Sequence, residues 1–547
     1  SAQLDRGANE ADWIGGDGWS TEARSDSYLL DAVLARSLDD LRLLRASIDG
    51  LPYYEAGIPW FATLFGRDSI IASLQTLAFD TSVAKGTLRL LASMQGTRSD
   101  DWRDEQPGKI LHELRIGELA RIGAIPHTPY YGTIDATPLF LVLLERYVAW
   151  TGDLDLFREL RDHVDRAVEW LDRWADPDGD GFVDYQSEQG HGLVNQGWKD
   201  SGDGIVDGKG RIATPPIALA EVQGYAYAAR RGLASLLEAV GDADGATAQR
   251  RAAAGLRDSF ERTYWSDDLG TYILARQRDG TPCDVVTSNA GQVLWSGIAS
   301  DEHARRTAER LMRDDMYGGW GIRTLSADAV AFNPIGYHLG TVWPHDNGIV
   351  AEGFRRYGLD RPAERVFTAL LETAAGFPHF RLPECFAGYA RRDFGVPVRY
   401  PVACHPQAWA AGSIPHLLTS TLGLEPDALA GRLRVVRPAL PDFVDSLELK
   451  GVTVGSGSAD LRFRDTDQGV EVEVVRADGG LDVRIETGKA AGPARDGGER
   501  WSRGVSSPPS GPPVAGARRR PPTDRAVSSG RRPPTDGPSI APPRGAP

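Results

Sequence analysis

Apolar residues recur every three to four positions along most of the chain, with polar residues between them. Leu30, Leu34, Leu38, Leu41, Leu44 and Ile48 form the first such stripe, and the spacing predicts a helix from Ser27 onward. Leu156, Leu160, Val164, Ala167, Leu171 and Trp174 form another, with Asp153 placed to cap its start. Similar segments lie at 68–82, 84–95, 137–151, 217–240, 245–265, 288–298, 302–312, 345–358, 362–375 and 407–423. About twelve helices in succession predict six hairpins in two concentric rings, an all-α (α/α)6 toroid spanning residues 25–425. An open solenoid is the alternative, but no repeat of fixed period runs through the chain.

After Gly423 the period changes. "RLRVVRPAL" (432–440), "LELKGVTVGSG" (447–457) and the run 459–486 alternate apolar and polar residues between glycine turns, which predicts a small antiparallel β module over 426–488. Residues 1–24 read as a polar, glycine-rich lead-in. From 489 onward Pro, Gly, Ser and Arg dominate, "RRPPTD" occurs twice, and a disordered tail is expected because little apolar surface is left to bury.

Composition mainly excludes. A chain of 547 residues, 41% hydrophobic and 25% charged, matches a soluble enzyme with a large core. The net charge of −15 argues against nucleic acid or an anionic membrane as partner, the more so because the tail holds ten arginines against four acids over 491–547. No apolar run approaches the roughly 20 residues of a membrane span. Cys283, Cys385 and Cys404 are too few and too scattered for a disulfide framework, which reads as a reducing cytoplasm. No signal peptide is visible, although a start at Ser1 leaves room for a removed leader.

The loops between helices carry the chemistry, since long loops in a compact body are usually functional. "GIPWFATLFGRDS" (57–69) brings Trp60, Phe65, Arg67 and Asp68 to the start of a helix. A helix cap behind an apolar staple explains Asp68 as readily as sugar binding does. "HTPYYGTIDATPLF" (127–140) adds Tyr131 and Asp135, and "NQGWKDSGDG" (195–204) sets Trp198 and Lys199 beside Asp200 and Asp203. "YHLGTVWPHDNG" (337–348) crowds Tyr337, His338, Trp343, His345 and Asp346 into one loop, of which a cap explains only Asp346. "RLPECFAG" (381–388) holds Glu384 between Pro383 and Phe386, and "CHPQAWAAGS" (404–413) adds Gln407 and Trp409. Acids set among aromatic plates are what a carbohydrate site needs: the rings stack on sugar faces and the acids bond hydroxyls.

Other chemistries find no support. There is no H-E-x-x-H helix for zinc, no G-x-S-x-G elbow, and no glycine-rich phosphate loop, so no metal or cofactor is assigned. Asp176, Asp178 and Asp180 before Gly181 match the first half of a calcium loop, yet position twelve is Ser187 where an EF-hand needs glutamate. A tight acidic turn without metal is the favoured reading there.

Taken in order, "PWFATLFGRDS", "YYGTIDATPLF", "NQGWKDSGD", "YHLGTVWPHDN" and "LPECFAG" resemble the glucosidase domain of bacterial glycogen-debranching-like proteins. This is the amylo-α-1,6-glucosidase group, related to mannosylglycerate hydrolase and processing α-glucosidase I. The resemblance covers residues 25–425 and implies an (α/α)6 barrel hydrolysing α-glucosides with inversion. It places the general acid on Asp200 and the general base on Glu384. Trp60, Phe65, Arg67, Asp68, Tyr131, Asp135, Trp198, Lys199, His338, Trp343, His345, Gln407 and Trp409 are then expected to bind substrate. Burial beside Trp198 would keep Asp200 protonated, whereas a Lys199 ammonium facing inward would oppose this, so Lys199 points elsewhere or binds substrate.

Two departures bear on the substrate. A β-rich domain usually precedes the barrel in the debranching group, and Leu339 stands where relatives near mannosylglycerate hydrolase tend to have arginine. Three readings remain open at the level of sequence: an α-glucan debranching-type glucosidase, a hydrolase of a small glycoside such as glucosylglycerate or mannosylglycerate, and a glycan-binding body without turnover. A glycosylglycerate would need a cation for its carboxylate, for which Arg67 and Lys199 are the candidates.

Overall fold

The computed structural model describes residues 14–15, 18–186 and 192–487, within one compact unit running from Ser1 to Ala490. The tail expected from 489 onward lies outside the described residues.

Helices of two compositions build the body. "ATPLFLVLLERYVAWT" (Ala136–Thr151) and "AWAAGSIPHLLTST" (Ala408–Thr421) are apolar on nearly every face and buried along their length. "RDHVDRAVEWLDR" (Arg161–Arg173) buries only Val164, Ala167, Trp170 and Leu171, the stripe of an amphipathic helix. The first kind forms an inner layer. Gly66–Thr76, Ala136–Thr151, Ala220–Ala239, Asn289–Ser296, Pro344–Arg356 and Ala408–Thr421 pack each on the next, and the last returns to the first. Outer helices back them: Ser82–Ser93, Arg161–Arg173, Ala243–Tyr264, Asp301–Leu311, Asp360–Ala375 and Tyr28–Leu43. Neighbouring inner helices approach closely where a side chain is missing. A Cβ on Gly353 would lie 2.7 Å from the Trp295 backbone nitrogen, so glycine permits that crossing.

The all-α class is wrong. Among the described residues five sheets accompany the helices, so the chain mixes helix and sheet. The largest is an antiparallel sheet of Glu22–Ser25, Ser446–Val454, Gly457–Thr466 and Gly469–Asp478, in that order. Its first strand comes from the end of the lead-in. In a second sheet Arg432–Val436 pairs antiparallel with Leu424–Asp427 and parallel with Asp482–Glu486, which corrects the expectation of a purely antiparallel module. The long crossover from 436 to 482 makes the parallel pairing possible, and no local pattern announces it.

Two helix boundaries also differ. The first helix stops at Leu43, and Arg45–Ile48 turns through Asp49 and Gly50 into a hairpin with Leu51–Tyr54. Asp49 and Gly50 both take positive φ, 52° and 78°, as a two-residue hairpin turn demands. The stripe ending at Trp174 breaks at Leu160 into Leu154–Glu159 and Arg161–Arg173, with the Asp153 carboxylate accepting from the Leu156 N–H at 3.1 Å as the spacing predicted. Among the described residues no helix is long and apolar enough to cross a membrane.

Candidate active site

The inner helices present their N-terminal ends to the loops singled out above. Arg67 and Asp68 lie in the first turn of Gly66–Thr76, and Asp135 immediately precedes Ala136–Thr151. His345 and Asp346 lie in the first turn of Pro344–Arg356, and Gln407 immediately precedes Ala408–Thr421. Phe65 and Trp343, not Asp68 and Asp346, occupy the cap positions of their helices, so the capping alternative accounts for neither aspartate. The ends are tied to one another by side chains.

Arg67 is the main tie. Its Nη1 donates to Asp135 Oδ2 at 3.1 Å and to the Gly197 carbonyl at 3.0 Å, while Nη2 donates to Asp200 Oδ2 at 3.0 Å. Asp135 is itself held by the Thr133 hydroxyl. A buried guanidinium thus fixes the Asp200 loop to two inner helices. The Asp200 side chain keeps 28% of its surface exposed. Burial still pushes its carboxyl up to about 6, against the downward pull of Arg67. Asp68, accepting from Gln407 Nε2 at 3.3 Å, is pushed up to about 7 by burial, with Arg67 again opposing.

Glu384 is held without any cation. The Tyr337 hydroxyl donates to Oε1 at 2.6 Å and the Cys404 N–H donates to Oε2 at 2.8 Å. With 2% of its surface exposed, Glu384 is pushed up to about 7 by burial, against those two donors, and the Asp200 charge adds to the rise. Glu384 therefore feels the Asp200 charge from a separate loop.

The aromatic residues form a packed wall. Trp198 meets His338, Trp343 and His345 edge to face at 5.6, 5.7 and 5.2 Å, and His345 stacks on Trp409 at 3.7 Å. Burial holds His338 and His345 well below the usual histidine range, so both rings are neutral. His338 Nδ1 lies 2.8 Å from the Ser201 hydroxyl, and Asn195 donates to the Ser201 carbonyl at 2.7 Å, bracing the residue after Asp200.

Not every residue expected at the site comes to the acids. Lys199 is 1% exposed and donates to the Thr324 carbonyl at 2.7 Å, so its ammonium points into the wall. Tyr131 sends its hydroxyl to the Met94 carbonyl, and Phe65 packs edge-on against Phe61 and His112. Trp60, 57% exposed, stands at the surface with its indole N–H on the Val402 carbonyl. Asp203 is exposed and accepts from Ser201. Sequence reasoning missed two groups that hold Glu384: Tyr337, visible in its loop but not assigned, and the Cys404 amide, which no side-chain pattern can announce. Two clefts of about 600 and 550 Å³ elsewhere, lined by residues such as Arg257, Arg305, Arg356 and Arg437, include none of these acids.

Comparison with known proteins bears directly on this arrangement. The profile of the mannosylglycerate hydrolase MGH1-like glycoside hydrolase domain matches residues 65–386, more than half of the chain and the segment that carries both acids. The chain belongs to this family. Residues 65–386 therefore form a glycoside hydrolase domain of the MGH1-like kind, and membership of the debranching group suggested by the motifs is not shown. Mannosylglycerate hydrolases MGH1 and MGH2 of Selaginella moellendorffii are each 33% identical to it over 106 residues, 19% of this chain and 21% of each relative. The match spans about a fifth of those curated relatives.

Solved structures agree in fold. A GH63 mannosylglycerate hydrolase from Thermus thermophilus, in complex with Tris and D-glycerate, superposes with a TM-score of 0.52 at 16% identity, covering 70% of this chain and 99% of that one. A GH78 family rhamnosidase of Bacillus sp. GL1 gives 0.59 at 16% identity, over 86% of this chain and 44% of the other.

Proposed function

We propose that the chain hydrolyses a small α-glycoside of the glycosylglycerate type, with inversion, using Asp200 as general acid and Glu384 as general base. The observation that carries the chemistry is a pair of carboxyls on separate loops, Asp200 partly exposed and Glu384 buried, each held by hydrogen bonds and both raised toward neutrality. Inversion needs one protonated carboxyl at the leaving oxygen and one carboxylate holding water, roughly 6.5–9.5 Å apart. Asp200 Oδ2 is committed to Arg67, which leaves Oδ1 to carry a proton to the glycosidic oxygen. Each Glu384 oxygen accepts one hydrogen bond and keeps a further lone pair. One of them takes the proton of the attacking water.

The family match favours a small glycoside over an α-glucan branch. A glycerate carboxylate would be met by the positive ends of the inner helices rather than by Arg67 or Lys199, both of which are committed within the wall. That same commitment favours a neutral short α-glucoside as the second reading. Turnover of glucosylglycerate and mannosylglycerate is to be compared with maltose and isomaltose, following the product anomer by proton NMR. The expected result is β-sugar appearing first from an α-glycoside, with kcat/KM for a glycosylglycerate about tenfold or more above the neutral disaccharides. A reversed preference rejects the glycerate, and α-sugar appearing first rejects inversion.

A further inference from the structure

The acidic turn "DPDGDGFVDY" follows the Arg161–Arg173 helix. Asp176 and Asp178 sit at the first and third positions of a calcium-loop spacing, and Gly181, with φ of 89°, takes the sixth, where the chain bends sharply. The ninth position is Asp184, which the aspartate spacing of the sequence did not single out. Carboxylate oxygens of Asp176, Asp178 and Asp184 all lie within 4.8 Å of one another. Asp180, at the fifth position, is instead paired with Arg276 at 2.6 Å.

Asp184 gives the cluster its meaning. It is 5% exposed, and its Oδ1 is buried without a hydrogen-bond partner among the described residues. Asp176, by contrast, accepts from the Gly179, Asp180 and Gly181 N–H groups. A buried carboxylate oxygen left unpaired costs free energy that a bound cation would return. Among the described residues no Lys or Arg is paired with Asp176, Asp178 or Asp184. Burial, followed by the charges of Asp178, Asp176 and Asp180, pushes Asp184 up to about 8.

We propose that Asp176, Asp178 and Asp184 bind a calcium ion. The donors are all oxygen, which selects a hard cation, and their loop spacing suits the irregular coordination of calcium better than the strict octahedron of magnesium. The site lies at the root of the acid-bearing loop. The Asp184 N–H bonds the Ala175 carbonyl, and next to it Tyr185 pairs with Ile217 and donates its hydroxyl to Asn195, which in turn braces Ser201.

The test is calorimetric titration of the EGTA-treated, desalted full chain with CaCl2, together with melting curves. Saturable binding of one ion and a Tm rise of about 3 °C at about 1 mM CaCl2 are expected. Asp184→Asn weakens calcium affinity at least about tenfold, and Asp178→Asn, at an exposed position that leaves folding intact, does the same. Absence of both saturable heat and a Tm shift up to about 5 mM CaCl2 would overturn the proposal, as would unchanged affinity in Asp178→Asn. An equal response to MgCl2 at the same concentration would overturn the assignment to calcium.

Discussion

Asp200 and Glu384, the two carboxyls proposed as catalytic, are held by opposite kinds of wall. Asp200 is partly exposed and gripped by a guanidinium that also holds Asp135. Glu384 is almost wholly buried and gripped by two neutral donors, a phenol and an amide. A cation stabilises the ionised carboxyl strongly, and neutral donors do so weakly. Burial raises both from their ordinary values of 3.8 and 4.5, Asp200 to about 6 against the guanidinium and Glu384 to about 7 against the two donors. The comparison teaches that Arg67 positions the acid while opposing its protonation.

The largest expected effect comes from removing either carboxyl. Asp200→Asn and Glu384→Gln should each lower kcat at least about 100-fold, roughly 3 kcal/mol in barrier. Asp203→Asn, outside the Arg67 tie, should stay within about twofold. Near-native turnover in either of the first two variants, or a larger loss in the third, breaks the assignment.

Arg67→Lys comes next. It keeps a charge but loses the planar fork that reaches Asp135 and Asp200 together. A loss of about thirtyfold in kcat/KM is expected, with the high-pH limb of the rate profile moving upward, because the general acid must keep its proton and Asp200 loses the cation that opposes this. A downward shift would mean that Arg67 is not what lowers the acid.

Tyr337→Phe tests the other wall and should cost about fivefold in kcat with KM little changed. Losing a donor to the ionised form raises Glu384, which must be ionised to act as base, so here the low-pH limb moves upward. Movement of the high-pH limb instead would exchange the two residues' roles.

The smallest expected change is in stability. Glu384 is raised from 4.5 to about 7 in the folded chain. Below about pH 4.5 it is protonated whether folded or not, and the stability this gives is lost as pH rises through 7. Glu384→Gln removes the buried charge but sets an amide N–H against one of the two donors, which offsets part of the gain. A Tm increase of about 2 °C at pH 8, shrinking toward zero at pH 5, is expected. An increase larger at pH 5 than at pH 8 would contradict the raised pKa.

Much of this comparison was legible in the sequence, for a local reason. Helix period, turn glycines and motif order depend on neighbours along the chain, so the helical segments and the change of texture after Gly423 could be located before any fold was known, and the same motifs named the two carboxyls proposed here as catalytic. The Asp153 cap was readable because it acts only three residues ahead. The Arg45–Tyr54 hairpin was not, because Ile48 continues the helical stripe by chance while strand pairing overrides it.

What the tertiary structure alone decided are the partnerships between residues far apart in the chain. Arg67 joining Asp135 and Asp200, Lys199 turning to Thr324, Tyr337 and the Cys404 amide holding Glu384, and the parallel pairing of 432–436 with 482–486 all arise this way. So does the mixing of sheet with helix, since the lead-in strand at 22–25 exists only through its pairing with 446–454. Residue type sets which groups can ionise or donate. Burial and partner choice set their pKa and direction, and those are properties of the packed chain.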